Sequence, residues 1–161
     1  MTRVWQAAPE ETGAVAALLA EFRDWMGRSR PTTENLTASV TRLMGDPGTE
    51  YLLGRAEGEA GPAGVCQLRF RFGVWHAAPD CWLEDLFVRE RSRAGGLGSA
   101  LVETAVRRAA ERGCARVELD VNEDNGPALA LYARLGFSAS TKAPGGRDLL
   151  MRRMIPEARG Q

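Results

Sequence analysis

The chain has one histidine, three cysteines and two tyrosines in 161 residues, and its 21 basic side chains are matched by 21 acidic ones. Each scarcity narrows the choice of function. Cys66, Cys81 and Cys114 are odd in number, far apart and without metal-ligand spacing, so they read as buried or reduced thiols and no metal is expected. A balanced charge with no Lys/Arg-rich run leaves no electrostatic footprint for nucleic acid. No apolar run approaches the roughly 20 residues needed to cross a bilayer, and the first residues lack a signal-peptide pattern. The lone histidine, His76, lies beside Trp75 in a loop from Gly73 to Cys81, where solvation explains it more simply than catalysis. The expectation is one cytoplasmic domain over residues 1–161, with no nucleic-acid or membrane partner and a frayed tail at 155–161.

Glycine, by contrast, is plentiful, and it is concentrated in Arg93-Ala94-Gly95-Gly96-Leu97-Gly98-Ser99. A β-rich segment, Leu83 to Val88, precedes this turn. Leu97 to Arg112 follows it with Leu97, Leu101, Val102, Ala105, Val106 and Ala109 at helical spacing. The glycines therefore sit where a helix begins, and a helix N-terminus with no Cβ in the way can cradle an anion. A nucleotide-hydrolysing P-loop would need Lys-Ser or Lys-Thr after the last glycine, but Ser99-Ala100 stands there. A dinucleotide fingerprint would use Gly96 and Gly98, yet its third position is Leu101. A merely tight strand-to-helix connection is the remaining alternative.

Elsewhere the periodicities give a strand at Arg3 to Ala7, a helix from Pro9 to about Gly27 and a second helix capped by Thr33 that ends near Asp46-Pro47-Gly48. A hairpin follows, Tyr51 to Ala56 and Ala63 to Phe72, in which Leu68, Phe70 and Phe72 alternate with Gln67, Arg69 and Arg71. After the central helix come a strand at about Ala115 to Val121 and a helix starting near Pro127. A last hairpin, Ser138 to Lys142 and Asp148 to Met154, turns about Pro144-Gly145-Gly146. The order is that of an α/β domain with a mixed sheet.

Three pieces in this order carry a resemblance. Arg93, Gly96 and Gly98 fill an Arg/Gln-x-x-Gly-x-Gly/Ala pattern, preceded by Leu83-Glu84-Asp85-Leu86-Phe87-Val88 and followed by Asn125-Gly126-Pro127-Ala128-Leu129-Ala130-Leu131-Tyr132 and Leu135-Gly136-Phe137. Together they resemble the GNAT superfamily of N-acetyltransferases, with some likeness to polyamine and small-amine acetyltransferases in Leu-Glu-Asp. The resemblance implies a twisted, mostly antiparallel sheet of about six to seven strands, flanked by four helices, with splayed central strands. It implies acetyl-CoA as co-substrate, its pyrophosphate on the N–H groups of Arg93, Ala94, Gly95, Gly96, Leu97, Gly98 and Ser99. The backbone of Leu86, Phe87 and Val88 would meet the pantetheine and Asn125 would also contact CoA. A homodimer is allowed by the same resemblance.

The implied reaction is direct attack of a primary amine on the thioester through a tetrahedral intermediate. An amine of pKa about 10.4 needs about 4.6 kcal/mol to lose its proton at pH 7, so a base helps. Glu84 and Asp85 are adjacent on a strand and point to opposite faces. Glu84 matches the family's acidic position and is chosen as base, through water, with Asp85 as an ion-pair or capping residue. Tyr132 is the acid for the departing thiolate, although packing alone also explains a buried tyrosine. Arg28, Arg30, Arg69 and Arg71 bring positive charge to the acceptor side, so an amine that also carries an anion is expected to be favoured over polyamines. The acceptor is read as a small molecule. A protein lysine or N-terminus, or a CoA-binding module without catalysis, remains as an alternative.

Overall fold

The computed structural model describes residues 1–139 and 149–155. Their contacts form one compact unit over Met1–Leu119 and a second, smaller one from Asp120. In the larger unit five strands lie in sequence order: β1 (Arg3–Gln6), β2 (Thr49–Arg55), β3 (Gly64–Gly73), β4 (Ala78–Val88) and β5 (Val117–Glu118). The first three pairings are antiparallel and the last is parallel, so the sheet is mixed as expected.

The helices are α1 (Thr12–Trp25), α2 (Thr33–Met44), α3 (Leu97–Glu111) and, in the smaller unit, α4 (Gly126–Arg134). One turn of 3-10 helix, Pro9–Glu11, leads into α1. Thr32 rather than Thr33 caps α2: its backbone is extended and its hydroxyl accepts from Asn35 N–H at 3.2 Å. Two adjacent threonines offer the same side chain, and backbone conformation decides between them.

Alternation along the strands divides the helices between the two faces of the sheet. Leu53, Val65 and Phe87 form a cluster with Val15, Ala16 and Leu18 of α1 and Val40 of α2. Each fully buried aliphatic side chain here is worth about 1.5–3 kcal/mol of transfer free energy, which seats the two helices. Gly54 and Gly64, on the opposite face, lie beneath Leu97 and Leu101 of α3. A Cβ at Gly54 would stand 2.6 Å from Leu97 Cδ1, and one at Gly64 would stand 2.9 Å from Leu101 Cδ1. The missing side chains let the first turn of α3 rest directly on the sheet. Its far end is held by Glu50, whose carboxylate receives Arg108 and Arg112 at 2.8 and 2.9 Å.

Two expectations change. The strand read over Ala115 to Val121 shrinks to Val117–Glu118. Its ladder with β4 includes only Cys81 and Trp82, and a bulge in β4 shortly beyond gives the physical reason. The last hairpin falls largely on 140–148, which lie outside the described residues, as do 156–161 of the tail. Among the described residues, 138–139 and 149–155 belong to no strand, so the described sheet has five strands rather than six to seven.

Candidate active site

The local geometry starts with one surplus residue in β4. Leu68 faces Leu83 and Gln67 faces Asp85, so Glu84 has no opposite number on β3 and forms a bulge. A bulge exchanges the directions of the backbone groups that follow. Before it, Pro79 C=O accepts from Ala115 N–H at 2.8 Å and Cys81 N–H donates to Arg116 C=O at 3.0 Å, so odd-numbered residues face β5. After it, Arg89 N–H donates to Ala63 C=O at 2.9 Å, so odd-numbered residues face β3. Leu86 and Val88 consequently turn their N–H and C=O groups toward the edge where the β5 ladder has stopped, and Phe87 turns its own toward β3.

The same bulge separates the two acids. Glu84 is exposed, and its carboxylate has no hydrogen-bond partner among the described residues. Asp85 is half-buried and shares a row with Gln67 and Tyr51, on the face covered by α1 and α2. These three form one wall of a cavity of about 180 Å³. Leu19, Phe22 and Met26 of α1 and its C-terminal end, and Leu36, Val40 and Leu43 of α2, supply the apolar walls. Phe22 stacks on Phe87 at 5.2 Å, so it both packs the core and lines this space. Burial pushes the Tyr51 phenol up to about 12, with Asp85 adding to the shift, so at neutral pH it remains a protonated donor.

Beyond Val88 the chain does not enter the glycine turn directly. A 3-10 stretch, Glu90–Gly95, intervenes, and Gly96 then caps α3 in the left-handed region at φ +77°. An added Cβ at Gly95 or Gly96 would meet nothing within 4 Å, so the outer side of the turn is open. The stretch is held at several points. Arg89 makes a bidentate pair with Glu21 of α1, and Arg91 and Ser92 both donate to Glu59. The Arg89 hydrogen bond holds the Glu21 carboxyl below the usual range, and the Ser92 hydroxyl does the same for Glu59. Arg93 Nε donates to Val88 C=O at 2.9 Å, and its guanidinium lies 4.9 Å from the Trp25 ring centroid. That arginine ties together the end of β4, the turn and the end of α1.

In the smaller unit Asn125 is the N-cap of α4, accepting from Ala128 N–H at 3.3 Å. Tyr132 is buried on α4 with its ring tilted against Phe137 at 5.7 Å, and Gly136 ends the helix at φ +86°.

The remaining candidates separate clearly. Arg69 pairs with Asp46 and Arg71 with Glu118, so both are neutralised by local acids. Arg28 and Arg30 stand at the rim of the cavity and make no ion pair among the described residues. Trp75 and His76 are exposed at the β3–β4 turn and do not line the cavity. All three cysteines are free thiols, and burial pushes Cys81 up to about 12 and raises Cys66 and Cys114 as well, so none is a ready thiolate. Sequence reasoning missed the Glu84 bulge and the seats at Gly54 and Gly64. It also missed the Glu21–Arg89 tie. A glycine on each strand of a hairpin was the available signal for the seats.

Several relatives are similar over part of the chain. The thialysine N-epsilon-acetyltransferase of Sus scrofa is 32% identical over 89 residues, covering 52% of this chain and 52% of that protein. The spermine/spermidine N(1)-acetyltransferase of Bacillus subtilis is 37% identical over 57 residues, covering 35% of this chain and 38% of that protein. Matches to curated relatives span from 13% to 60% of those proteins' own lengths. Among solved structures, a protein of Arthrobacter sp. FB24 assigned as an acetyltransferase superposes with a TM-score of 0.83. It is 28% identical and covers 95% of this chain and 96% of its own. The family model described as "Acetyltransferase (GNAT) family" matches residues 14–137, a span that runs from α1 through the bulged strand and the glycine turn to Phe137. The chain belongs to the GNAT family of acetyltransferases.

Proposed function

We propose that the protein transfers the acetyl group of acetyl-CoA to a primary amine of a small molecule. The observation that carries this reading is the junction of β4 and α3. A bulge turns Leu86 and Val88 toward an unladdered edge, and eight residues after Val88, Gly96 opens the N-terminus of a fifteen-residue helix with clear space outside it. These groups fit a long ligand with a diphosphate at one end. N–H groups from Arg93 to Ser99 and the positive end of α3 suit the phosphates. The edge of Leu86 suits an amide-bearing chain that pairs as a strand would. Arg93, held by Val88 and Trp25, serves to position the turn.

Acetyl-CoA would supply an activated acyl carbon and a good leaving group. Glu84, solvent-exposed within the bulge, is assigned to accept the proton of the incoming ammonium through water. Tyr132 is assigned to donate a proton to the departing sulfur, and Asn125 to contact CoA beside the start of α4. The nitrogen loses two protons in becoming an amide; one is replaced on sulfur and one leaves to solvent, so the step balances. A CoA-release assay against a panel of amines tests the proposal. Turnover with small amines supports it, turnover only with peptide lysines or N-termini would move the acceptor to protein, and tight acetyl-CoA binding without turnover on any amine would make the protein a CoA-binding module.

A further inference from the structure

The cavity over Tyr51, Gln67 and Asp85 has an asymmetric lining. At about 180 Å³ it far exceeds the roughly 10–15 Å³ that one water requires, so it has room for a substantial part of an organic molecule. Its sheet side is polar. Gln67 is buried and Asp85 half-buried, and Tyr51 keeps its proton at neutral pH. Its helix side is apolar, from Phe22, Leu36 and Val40 among others. Its rim has Arg28 and Arg30 on the segment between α1 and α2. That segment is held in place by Arg23, which donates to Pro31 C=O at 2.9 Å and to the Thr33 hydroxyl at 3.4 Å.

The lining therefore offers a carboxylate on the sheet, hydrocarbon from the helices and guanidinium groups on the exposed segment between them. A ligand that complements all three has an ammonium at one end, an apolar body and an anion at the other end. Asp85 is also next to Glu84 in the bulge and to Leu86 at the open edge, so an amine held at Asp85 lies one residue from both. Resting on the acetyl-transfer reading, we propose that this cavity binds the acceptor, and that the acceptor is an apolar amine with a carboxylate at its far end, its ammonium on Asp85 and its carboxylate on Arg28 and Arg30. Asp85 is on this account a specificity-determining residue that holds the nucleophile, while proton removal stays with Glu84. Diamines are selected against, because their second ammonium would meet the two arginines.

Four amines of matched length test the idea: 6-aminohexanoate, 6-aminohexanamide, hexylamine and 1,6-diaminohexane. The expected order of kcat/KM places 6-aminohexanoate first and 1,6-diaminohexane last. In Arg28→Ala and Arg30→Ala, both at exposed positions, the preference for 6-aminohexanoate over hexylamine should fall about threefold to tenfold each, the range of an exposed charge pair and somewhat above. Asp85→Asn should raise KM for every amine about tenfold or more while leaving the Kd of acetyl-CoA in place. Equal or better turnover of 1,6-diaminohexane, or a preference that neither arginine alters, would overturn the proposal. Calorimetric titration of 6-aminohexanoate into the same variants separates the two readings. Arginine-dependent binding without any acetyl transfer would uphold the cavity assignment and remove the transferase reading, whereas turnover of other amines with no arginine-dependent binding would do the reverse. Absence of both turnover and binding would remove the cavity assignment as well.

Discussion

Replacing Gly54 by alanine tests how closely α3 must approach the sheet. The new methyl carbon would stand 2.6 Å from Leu97 Cδ1 and 3.3 Å from Leu101 Cδ2, where ordinary contact begins near 3.4 Å. Leu97 and Leu101 are both fully buried, so neither can swing into solvent to make room. A retreat of about 1 Å is needed at the first turn of α3, and overpacking of this kind costs about 1–3 kcal/mol. Part of that is offset, because alanine restricts the unfolded chain more than glycine by about 0.4–1 kcal/mol. The net expectation is a loss of about 1–2 kcal/mol. For a domain of this size each kcal/mol lowers Tm by about 2–4 °C, so the melting point should fall by roughly 2–8 °C. Leu97 directly follows Gly96, so acetyl-CoA should also bind more weakly as the turn moves. Thermal unfolding by circular dichroism and calorimetric titration of acetyl-CoA measure the two effects. Gly13→Ala is the control: it lies in α1 with open space around its Cβ position and should stabilise by up to about 1 kcal/mol through helix propensity. A Gly54→Ala protein that melts at or above the wild-type temperature would refute the close-seat argument.

Further expectations concern the proposed chemistry and the ion pairs. Tyr132→Phe should lower kcat by about tenfold or more with little change in the Kd of acetyl-CoA, and an unchanged rate in a stopped CoA-release assay would remove its acid role. Gly96→Val places a β-branched residue at φ +77°, a strained conformation worth about 1–2 kcal/mol, and should raise the Kd of acetyl-CoA. The Glu21 carboxyl is depressed below its ordinary value of 4.5 by Arg89, so its contribution to stability is complete above the unfolded pKa and is lost as pH falls through the lower folded value. Wild-type Tm should therefore drop on acidification below about pH 4.5 more steeply than that of Glu21→Gln; parallel pH profiles would show that the pair is energetically silent.

Much of the scaffold could be read from residue patterns because those patterns are local. The apolar spacing after Gly96 specified α3, and Gly96 and Gly136 both occupy the left-handed conformations that their positions in the pattern call for. Cysteines that are free thiols followed from their number and spacing, and two of the three, Cys66 and Cys81, are also buried. What escaped depends on partners distant in sequence. Arg69 and Arg71 read as a cationic face, but Asp46 and Glu118 neutralise them from other elements. Gln67 alternates with Leu68 and Phe70 in the same row as the two arginines, yet α1 and α2 cover it. The 3-10 stretch Glu90–Gly95 has no periodicity long enough to register, and it is held by Glu21 and Glu59 from far along the chain. The order of adjacent acids in Leu-Glu-Asp was visible, but which of them faced α1 depended on a residue count against β3 that no single strand reveals.

The surplus residue at Glu84 has a consequence for anyone who edits this protein. Upstream and downstream of it, β4 obeys two opposite even-odd codes, and deletion of that one codon would merge them, because Leu83 and Asp85 would become neighbours while still opposite Leu68 and Gln67. Leu86 and Val88 would keep their backbone groups toward the open edge, and Asp85 and Phe87 their places opposite Gln67 and Val65, while the bend and extra twist that a bulge adds to the strand would be lost. A point substitution at the same codon changes only one exposed side chain. Loss of a residue here therefore keeps both registers, whereas loss farther along the strand must shift one of them, so libraries that sample single-residue deletions across β4 should show their greatest tolerance, for folding, at Glu84.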